Sequence, residues 1–279
     1  MGTPIYTCLW YDGKAEEAAD YYCSIIPDSR VSSRNPVVTE FTLAGSKFIA
    51  LNGGPHYTFT PATSLFVTCE SKEEIDRYWS RLTQGGTVLM ELGPYDWSEY
   101  YGWCADRYGL TWQVYLGNVG DVRQKVVPLL LFVNTMCGRA EEAIRWYTGL
   151  FGNSRIDGIA RYGANAPLPE GHVMHAQFVL TDRVFMAMDG PGEHRFDFNE
   201  AVSFVVECDS QKEIDAYWDA ITKEGTESMC GWCKDRYGVS WQIIPAQLKE
   251  LMADPVRGPR VVQAFMKMKK FDLGTILRA

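Results

Sequence analysis

Two short motifs contain residue types that could carry out chemistry. Cys230 and Cys233 form a C-G-W-C motif, and His172 and His175 lie three residues apart in the segment HVMHAQFV. A redox C-x-x-C works at a helix N-terminus, where the helix dipole lowers a thiol pKa, whereas this motif precedes a strand pattern. Residues three apart on a strand point to opposite faces, so the two histidines make a poor metal pair. We therefore interpret the cysteines as structural and keep His175, beside Gln177, as a candidate base or ligand-binding group.

The elements that must position such residues occur twice along the chain. Three blocks recur in the same order, at residues 14–22 and 139–147, 69–79 and 208–218, and 102–114 and 231–243. Seven of eleven positions are identical in the second block and nine of thirteen in the third. A period this long with only two copies indicates duplicated domains. We predict domain 1 at residues 1–120, domain 2 at 125–246 and a C-terminal helical tail at 247–279.

Each repeat contains two helical patterns among strand-like segments. Ala15, Ala18, Ala19 and Tyr22 keep helical spacing, and Ser71 begins a second helix as its N-cap. Strand patterns cover residues 5–11, 37–43, 47–52, 64–69 and 110–116. The order βαβββ, twice in each repeat, predicts an α+β fold in which helices cover the outer face of a curved sheet. The inner face is the expected ligand site.

These segments resemble the PhnB-like, 3-demethylubiquinone methyltransferase branch of the glyoxalase/bleomycin-resistance/dioxygenase superfamily, also called the vicinal oxygen chelate superfamily. The resemblance rests on the A-E-E-A-x-x-[YW]-Y helix, the D-R-Y-G-[LV]-[ST]-W-Q-[VI] strand and the tail at residues 251–279. It implies two tandem glyoxalase-like domains, each of paired βαβββ modules that form a sheet cup. The methyltransferase label finds little support, because the nearest glycine-rich turn, at residues 190–192, has no helix pattern after it.

Metal-dependent members of that superfamily place histidine or glutamate ligands on four strands of the cup. The resemblance puts these positions at Tyr6, Ala50, Ser64 and Gln113, and near Pro128, Ala187, Ser203 and Gln242. A divalent cation needs imidazole or carboxylate donors at most of its sites, and these residues do not supply them. We therefore expect no metal and no other cofactor.

Strand alternation predicts which side chains line the cups, because residues two apart share a face. The predicted ligand-binding residues are Trp10, Glu40, Asn52, Gln113, Tyr115, His175, Gln177, Asp189 and Gln242. Such a mixture of apolar and polar side chains suits a small organic ligand fixed by a few hydrogen bonds. No catalytic residue is predicted. The alternative is that side chains fill one or both cups as a core.

Composition excludes several function classes. With 46% hydrophobic residues the chain can bury cores, and its formal charge of -8 argues against a nucleic-acid partner. The longest apolar run, residues 126–133, is too short to span a membrane. The N-terminus lacks a signal pattern and the eight cysteines are widely spaced, so we expect a cytoplasmic protein with reduced thiols.

Three functions remain open at this point. The first is metal-independent binding of a small organic molecule, without proven turnover. The second is a metal-dependent lyase, isomerase or dioxygenase, and the third is sequestration of a cationic drug in an acidic, aromatic groove. The first repeat keeps a longer lid around Asp96 and Trp97, so the two cups are expected to bind unequally. Fused copies supply a pairing that single domains reach by dimerisation, so we expect a monomer or a homodimer.

Overall fold

The protein, described here from a computed structural model that covers residues 4–279, consists of four βαβββ modules and a tail. Module 1 contains β1 (Ile5–Tyr11), α1 (Ala15–Ile25), β2 (Arg30–Arg34), β3 (Val38–Leu43) and β4 (Ser46–Asn52). Module 2 contains β5 (Thr63–Cys69), α2 (Lys72–Leu82), β6 (Thr87–Tyr95), β7 (Ser98–Ala105) and β8 (Thr111–Leu116). A short helix, α3 (Val119–Val122), connects the two repeats. The expected α+β class is confirmed.

The second repeat follows the same order. Module 3 contains β9 (Val126–Phe132), a 3-10 turn (Asn134–Met136), α4 (Ala140–Leu150), β10 (Arg155–Arg161), β11 (Val173–Leu180) and β12 (Arg183–Asp189). Module 4 contains β13 (Val202–Cys208), α5 (Gln211–Thr222), β14 (Thr226–Glu227), β15 (Trp232–Lys234) and β16 (Ser240–Pro245). The tail contains α6 (Leu248–Ala253), α7 (Gly258–Phe265) and α8 (Leu273–Arg278).

The sixteen strands form two eight-stranded sheets. Sheet A has the order β14-β15-β16-β13-β1-β4-β3-β2, and sheet B has the order β10-β11-β12-β9-β5-β8-β7-β6. Sheet A therefore joins modules 1 and 4, and sheet B joins modules 2 and 3. The antiparallel pairs β1–β13 and β5–β9 are the two junctions. The sequence analysis expected each repeat to pair its own two modules, whereas the pairing crosses between the repeats.

The two modules of each repeat meet instead through their helix-covered faces. Tyr22 of α1 packs on Trp112 of β8 with ring centroids 5.1 Å apart, and Tyr147 of α4 packs on Trp241 of β16 at 5.5 Å. These buried aromatic side chains belong to one large apolar core. The helical spacing of apolar residues identifies the buried stripe of each helix, but it carries no information about which module completes a sheet.

Both sheets curve so that side chains on their uncovered faces converge. Trp10 on β1 and Trp232 on β15 are three strands apart, a separation of ~14 Å in a flat sheet. Their ring centroids are nevertheless 5.8 Å apart. Across three strands of sheet B, the rings of Phe66 and His175 are 6.0 Å apart. We call the uncovered faces cup A, on sheet A, and cup B, on sheet B.

Within residues 4–279, no helix combines the length and the apolar character needed to cross a membrane.

Candidate functional site

The centre of cup A is a small polar floor. Gln242 on β16 donates from Nε2 to the Ser203 hydroxyl on β13 at 2.9 Å, and Cys8 on β1 lies opposite Ser203 in the strand register. Burial raises the pKa of the Cys8 thiol to about 11, although hydrogen bonds from Gln242 and Ser203 oppose this. The thiol is therefore protonated at neutral pH. The floor offers neutral hydrogen-bonding groups and no anion.

A charged cluster lies beside this floor. The Tyr6 hydroxyl donates to Glu207 Oε1 at 2.6 Å, and Lys47 Nζ donates to the same oxygen at 3.1 Å. The Lys47 ammonium also lies 3.7 Å from the centre of the Tyr6 ring. Burial, reinforced by the negative charge of Glu207, holds the pKa of Tyr6 far above its ordinary value. Tyr6 therefore stays a neutral donor, and Glu207 is held between a phenol and an ammonium.

Two further ion pairs stand at the rim of cup A. Lys249, on α6 of the tail, donates to Glu40 Oε2 on β3 at 2.6 Å. Lys234 on β15 lies 2.9 Å from Glu200, which lies in the loop before β13. The tail thus contributes one charged side chain to the cup that modules 1 and 4 build.

Aromatic side chains close one end of cup A. The Trp10 indole donates to the Gly54 carbonyl at 2.7 Å and packs edge-on against Tyr57 and Trp232, with centroids 5.1 and 5.8 Å away. A Cβ atom at Gly53 would lie 2.2 Å from the Trp10 ring. Only glycine at that position lets the indole lie against the backbone, so the local sequence fixes this ring in place.

Cup B is filled by apolar side chains. Its buried members are Phe66, Tyr101, Val122, Val127, Leu129, Leu131, Val133, Val179, Val184 and Met186. One buried polar chain runs through them, because the Tyr101 hydroxyl donates to Gln113 Oε1 at 2.8 Å and Gln113 Nε2 donates to Ser64 at 2.7 Å. The β6–β7 hairpin adds Tyr95 and Trp97, whose rings stack at 5.0 Å beside Tyr101. The expected lid around Asp96 and Trp97 is therefore the tip of this hairpin.

His175 lies on the same face as this apolar cluster. Its Nε2 atom is buried and has no hydrogen-bond partner, and burial lowers the pKa of the imidazole below its usual range. Gln177, two residues along β11, donates from Nε2 to Asp157 at 3.2 Å. Because the buried Nε2 atom has no hydrogen-bond partner and Gln177 bonds to Asp157 instead, the structure does not pair His175 with Gln177 as a catalytic dyad.

The strand register allows the two cups to be compared position by position. Cys8 lies between Ile49 and Ser203 in sheet A, just as Leu129 lies between Met186 and Ser64 in sheet B. At four positions counted outward from these rows, cup A has a charged or phenolic residue and cup B has an uncharged one. The pairs are Tyr6 with Val127, Lys47 with Val184, Glu207 with Thr68, and Glu40 with Gln177. At these four positions only cup A carries charged or phenolic side chains, whereas the charged group beside cup B is Asp157, which bonds to Gln177 and pairs with Arg123 and Arg155.

Comparison with known proteins identifies the family. A sequence model described as 3-demethylubiquinone-9 3-methyltransferase matches residues 3–115 and again 124–244. The chain belongs to this family. No curated protein matches the chain.

Among solved structures, a putative 3-demethylubiquinone-9 3-methyltransferase, PhnB protein, from Bacillus cereus is 40% identical, with 40% of this chain and 98% of that chain covered and a TM-score of 0.38. A protein from Staphylococcus aureus is 28% identical over 42% of this chain and all of that chain, with a TM-score of 0.20. Glyoxalase I from Zea mays is 12% identical, covers 91% of this chain and 97% of its own, and has a TM-score of 0.59. The last likeness concerns the fold, and with the family match it places the chain in the vicinal oxygen chelate superfamily.

The residues of this family member do not fit the divalent cation of metal-dependent superfamily members. The central rows contain Cys8, Ile49 and Ser203 in cup A, with Gln242 bonded to Ser203, and Leu129, Met186 and Ser64 in cup B, with Gln113 bonded to Ser64. Neutral amides, hydroxyls and alkyl groups are poor ligands for such an ion. Ala50 and Ala187, expected at metal positions, lie instead in the helix-side core. Among residues 4–279, no three His, Cys, Asp or Glu side chains are grouped as a metal site.

The predicted ligand-binding residues divide among three places. Trp10, Glu40 and Gln242 lie on cup A, and Gln113, Tyr115, His175 and Gln177 lie on cup B. Asn52 and Asp189 are corrections, because both lie on the helix side. Asn52 Oδ1 accepts from the Ala15 amide at 2.9 Å, and Asp189 Oδ1 accepts from the Ala140 amide at 3.2 Å. Each satisfies a free backbone N–H at the start of a helix.

The sequence analysis did not find Lys47 or Lys249. In β4, Phe48 and Ala50 alternate with Ile49 and Leu51, so both faces of the strand are apolar and alternation alone does not select the open one. Anchoring the strand on Ala50 chose the wrong face. Lys249 reaches the cup from a helix that follows the last strand, and no local pattern indicates that contact.

Proposed function

We propose that cup A binds a small organic molecule without a metal ion. The single observation that carries the proposal is the charged cluster of Tyr6, Lys47 and Glu207 on an open face, where the matching positions of cup B are Val127, Val184 and Thr68. Placing charged and phenolic groups on a sheet surface costs desolvation energy that aliphatic residues avoid. Their presence in one cup only supports a ligand-binding role there.

The remaining groups of cup A support the same role. Gln242 and Ser203 supply hydrogen bonds at the floor, and Ile49, Leu51 and Ile244 supply partly buried apolar surface. A few convergent polar groups on an apolar surface are what a small-molecule site needs.

The eight cysteines are all free, which supports a reducing compartment such as the cytoplasm. We expect the binding unit to be a monomer or a homodimer.

The proposal is tested by screening a library of fluorinated fragments by NMR against the chelator-treated full-length protein. Hits of cup A should be lost in Gln242→Leu, because that change removes the floor donor. The matched variant Gln113→Leu alters the equivalent residue of cup B and should keep those hits. Elemental analysis of the untreated protein should find far less than one metal ion per chain.

Three outcomes would contradict the proposal. The first is that no fragment binds both the original protein and the Gln113→Leu variant but fails to bind the Gln242→Leu variant. The second is binding that appears only when zinc, nickel or iron is added. The third is a metal ion present at one per chain whose removal abolishes fragment binding, which would favour the metal-dependent alternative.

A further inference from the structure

The three ion pairs of cup A share an asymmetry in burial. The side chains of Glu40, Glu207 and Glu200 are 16%, 24% and 22% exposed. Their lysine partners, Lys249, Lys47 and Lys234, are 65%, 35% and 33% exposed. In every pair the carboxylate is the more buried partner and the ammonium the more solvated one. Cup A thus contains three partly buried carboxylates, and each is paired with a lysine whose side chain is more exposed to solvent.

The Glu40 pair has the largest difference. Lys249 belongs to α6, not to either module of the cup, and only the end of its side chain meets the sheet. Beside Glu40 in the register lies Ile49, with Leu51 two residues further along the same strand, and both belong to the apolar cluster of the cup. The Lys249 side chain is chemically a butylammonium group, so the free protein already holds an alkylammonium against a buried carboxylate.

We propose that cup A takes an organic ammonium ligand and that Lys249 occupies the ammonium position until the ligand displaces it. The inference rests on the proposed function of cup A and names its ligand class. The displaced lysine returns to water, where an ammonium is well solvated. Because an exposed ion pair contributes little, displacement lowers the ligand affinity by no more than about fivefold.

The ligand class follows from the exchange itself. An incoming ammonium restores the charge balance at Glu40, whereas a neutral ligand gains nothing from the carboxylate and an anion is repelled by it. An apolar group attached to the ammonium would lie on Ile49 and Leu51, toward the Trp10 ring, and aromatic rings also attract cations. Cup B has Gln177 at the position of Glu40, and the carboxylate that Gln177 contacts, Asp157, is paired with Arg123 and Arg155, so no lysine there holds an alkylammonium position.

The test uses three probes that share one ring and differ in charge, namely benzylamine, benzamide and benzoate. Their affinities for the full-length protein are measured by NMR titration at low salt. We expect benzylamine to bind at least tenfold more tightly than the other two. Lys249→Met keeps an unbranched side chain one atom shorter and removes its charge, so it should raise the benzylamine affinity by about threefold to fivefold and leave benzamide unchanged.

Two further variants complete the design. Glu40→Gln gives cup A the residue type of cup B and should remove the preference for benzylamine. Lys270→Met removes another tail lysine, which pairs with Asp215 and Asp219 away from the cup, and should change nothing. If Lys249→Met leaves the benzylamine affinity unchanged or lowers it while probes still bind cup A, the inference fails and the proposed function stands. If no probe binds in a manner sensitive to Gln242→Leu, both fail.

Discussion

Cup A and cup B are built on the same strand register but make different use of it. In cup A, partly exposed side chains carry three ion pairs and a phenol–carboxylate hydrogen bond. In cup B, ten buried side chains fill the matching surface and a hairpin covers it. The backbone alone therefore does not decide which side chains cover the face of such a sheet. A handful of positions, such as Lys47 against Val184, decides it.

The largest expected difference between the cups is in their contribution to stability. Met186 in cup B is buried, and Met186→Ala should lower the free energy of unfolding by about 3 kcal/mol through lost apolar contacts and a cavity. Ile49, the matched residue of cup A, is partly exposed, so Ile49→Ala should cost only about 1 kcal/mol. Urea denaturation of both variants measures the two losses. Equal losses would mean that cup A is also a packed core.

Replacing the central glutamine should also destabilise the protein more in cup B than in cup A. Gln113→Leu leaves the Tyr101 hydroxyl and Ser64 without their partner in a buried setting, which should cost about 2 kcal/mol of unfolding free energy. Gln242→Leu affects a partly exposed residue that bonds to Ser203 and to the weakly hydrogen-bonding Cys8 thiol, so we expect a loss below about 1 kcal/mol. Denaturation curves at neutral pH compare them. A larger loss for Gln242→Leu would reverse the roles assigned to the cups.

The pH dependence of stability reports on His175. Burial lowers its pKa in the folded protein, while the unfolded chain keeps the ordinary value of about 6.5. Below that pH the unfolded state takes up a proton that the folded state resists, so the free energy of unfolding falls as the pH drops. His175→Val, which introduces the residue found at the matched position of cup A, Val38, should weaken this fall. The comparison is made by urea titration at pH 7.5 and pH 5, and an unchanged pH dependence would contradict it.

The smallest expected effect concerns the tail. Lys249→Met removes an ion pair whose lysine is mostly exposed, so the unfolding free energy should change by less than about 1 kcal/mol. The tail stays attached elsewhere, for instance through Gln211 and the Phe271 carbonyl. Thermal melting and proteolysis of the tail check this expectation. A large loss would show that Lys249 anchors the tail and does not merely meet cup A.

Sequence patterns predict much of this fold, because repetition and periodicity are local. The N-cap predicted at Ser71 is confirmed, and Ser210 caps the matching helix of the second repeat, since both side chains accept from the amide three residues later. The short strands β2, β14 and β15 were not predicted, since two to five residues carry too little alternation. The pairing of β1 with β13 was not predicted either, because it joins segments about 200 residues apart.

The candidate site was less accessible to sequence reasoning than the fold. Gln242, Glu40 and Trp10 were placed on the face where the structure has them because residues two apart along a strand share a face. Asn52 and Asp189 were misplaced because a polar residue at a strand end has two uses, lining a surface or accepting from a helix N-terminus. Only the three-dimensional arrangement distinguishes these uses.

The exchange of strands between repeats has a consequence for how such a protein can change. Each half of the gene encodes half of both cups, so neither half alone has a complete sheet. The first half alone would expose β1 and β5 as open edges, and the second half alone would expose β9 and β13. A lone half would need a second copy to close those edges. The residues of cup A are therefore encoded in the first quarter and the last quarter of the coding sequence, and those of cup B in the two middle quarters. The segment that was duplicated in the gene is therefore not the same segment as the one that builds a cup.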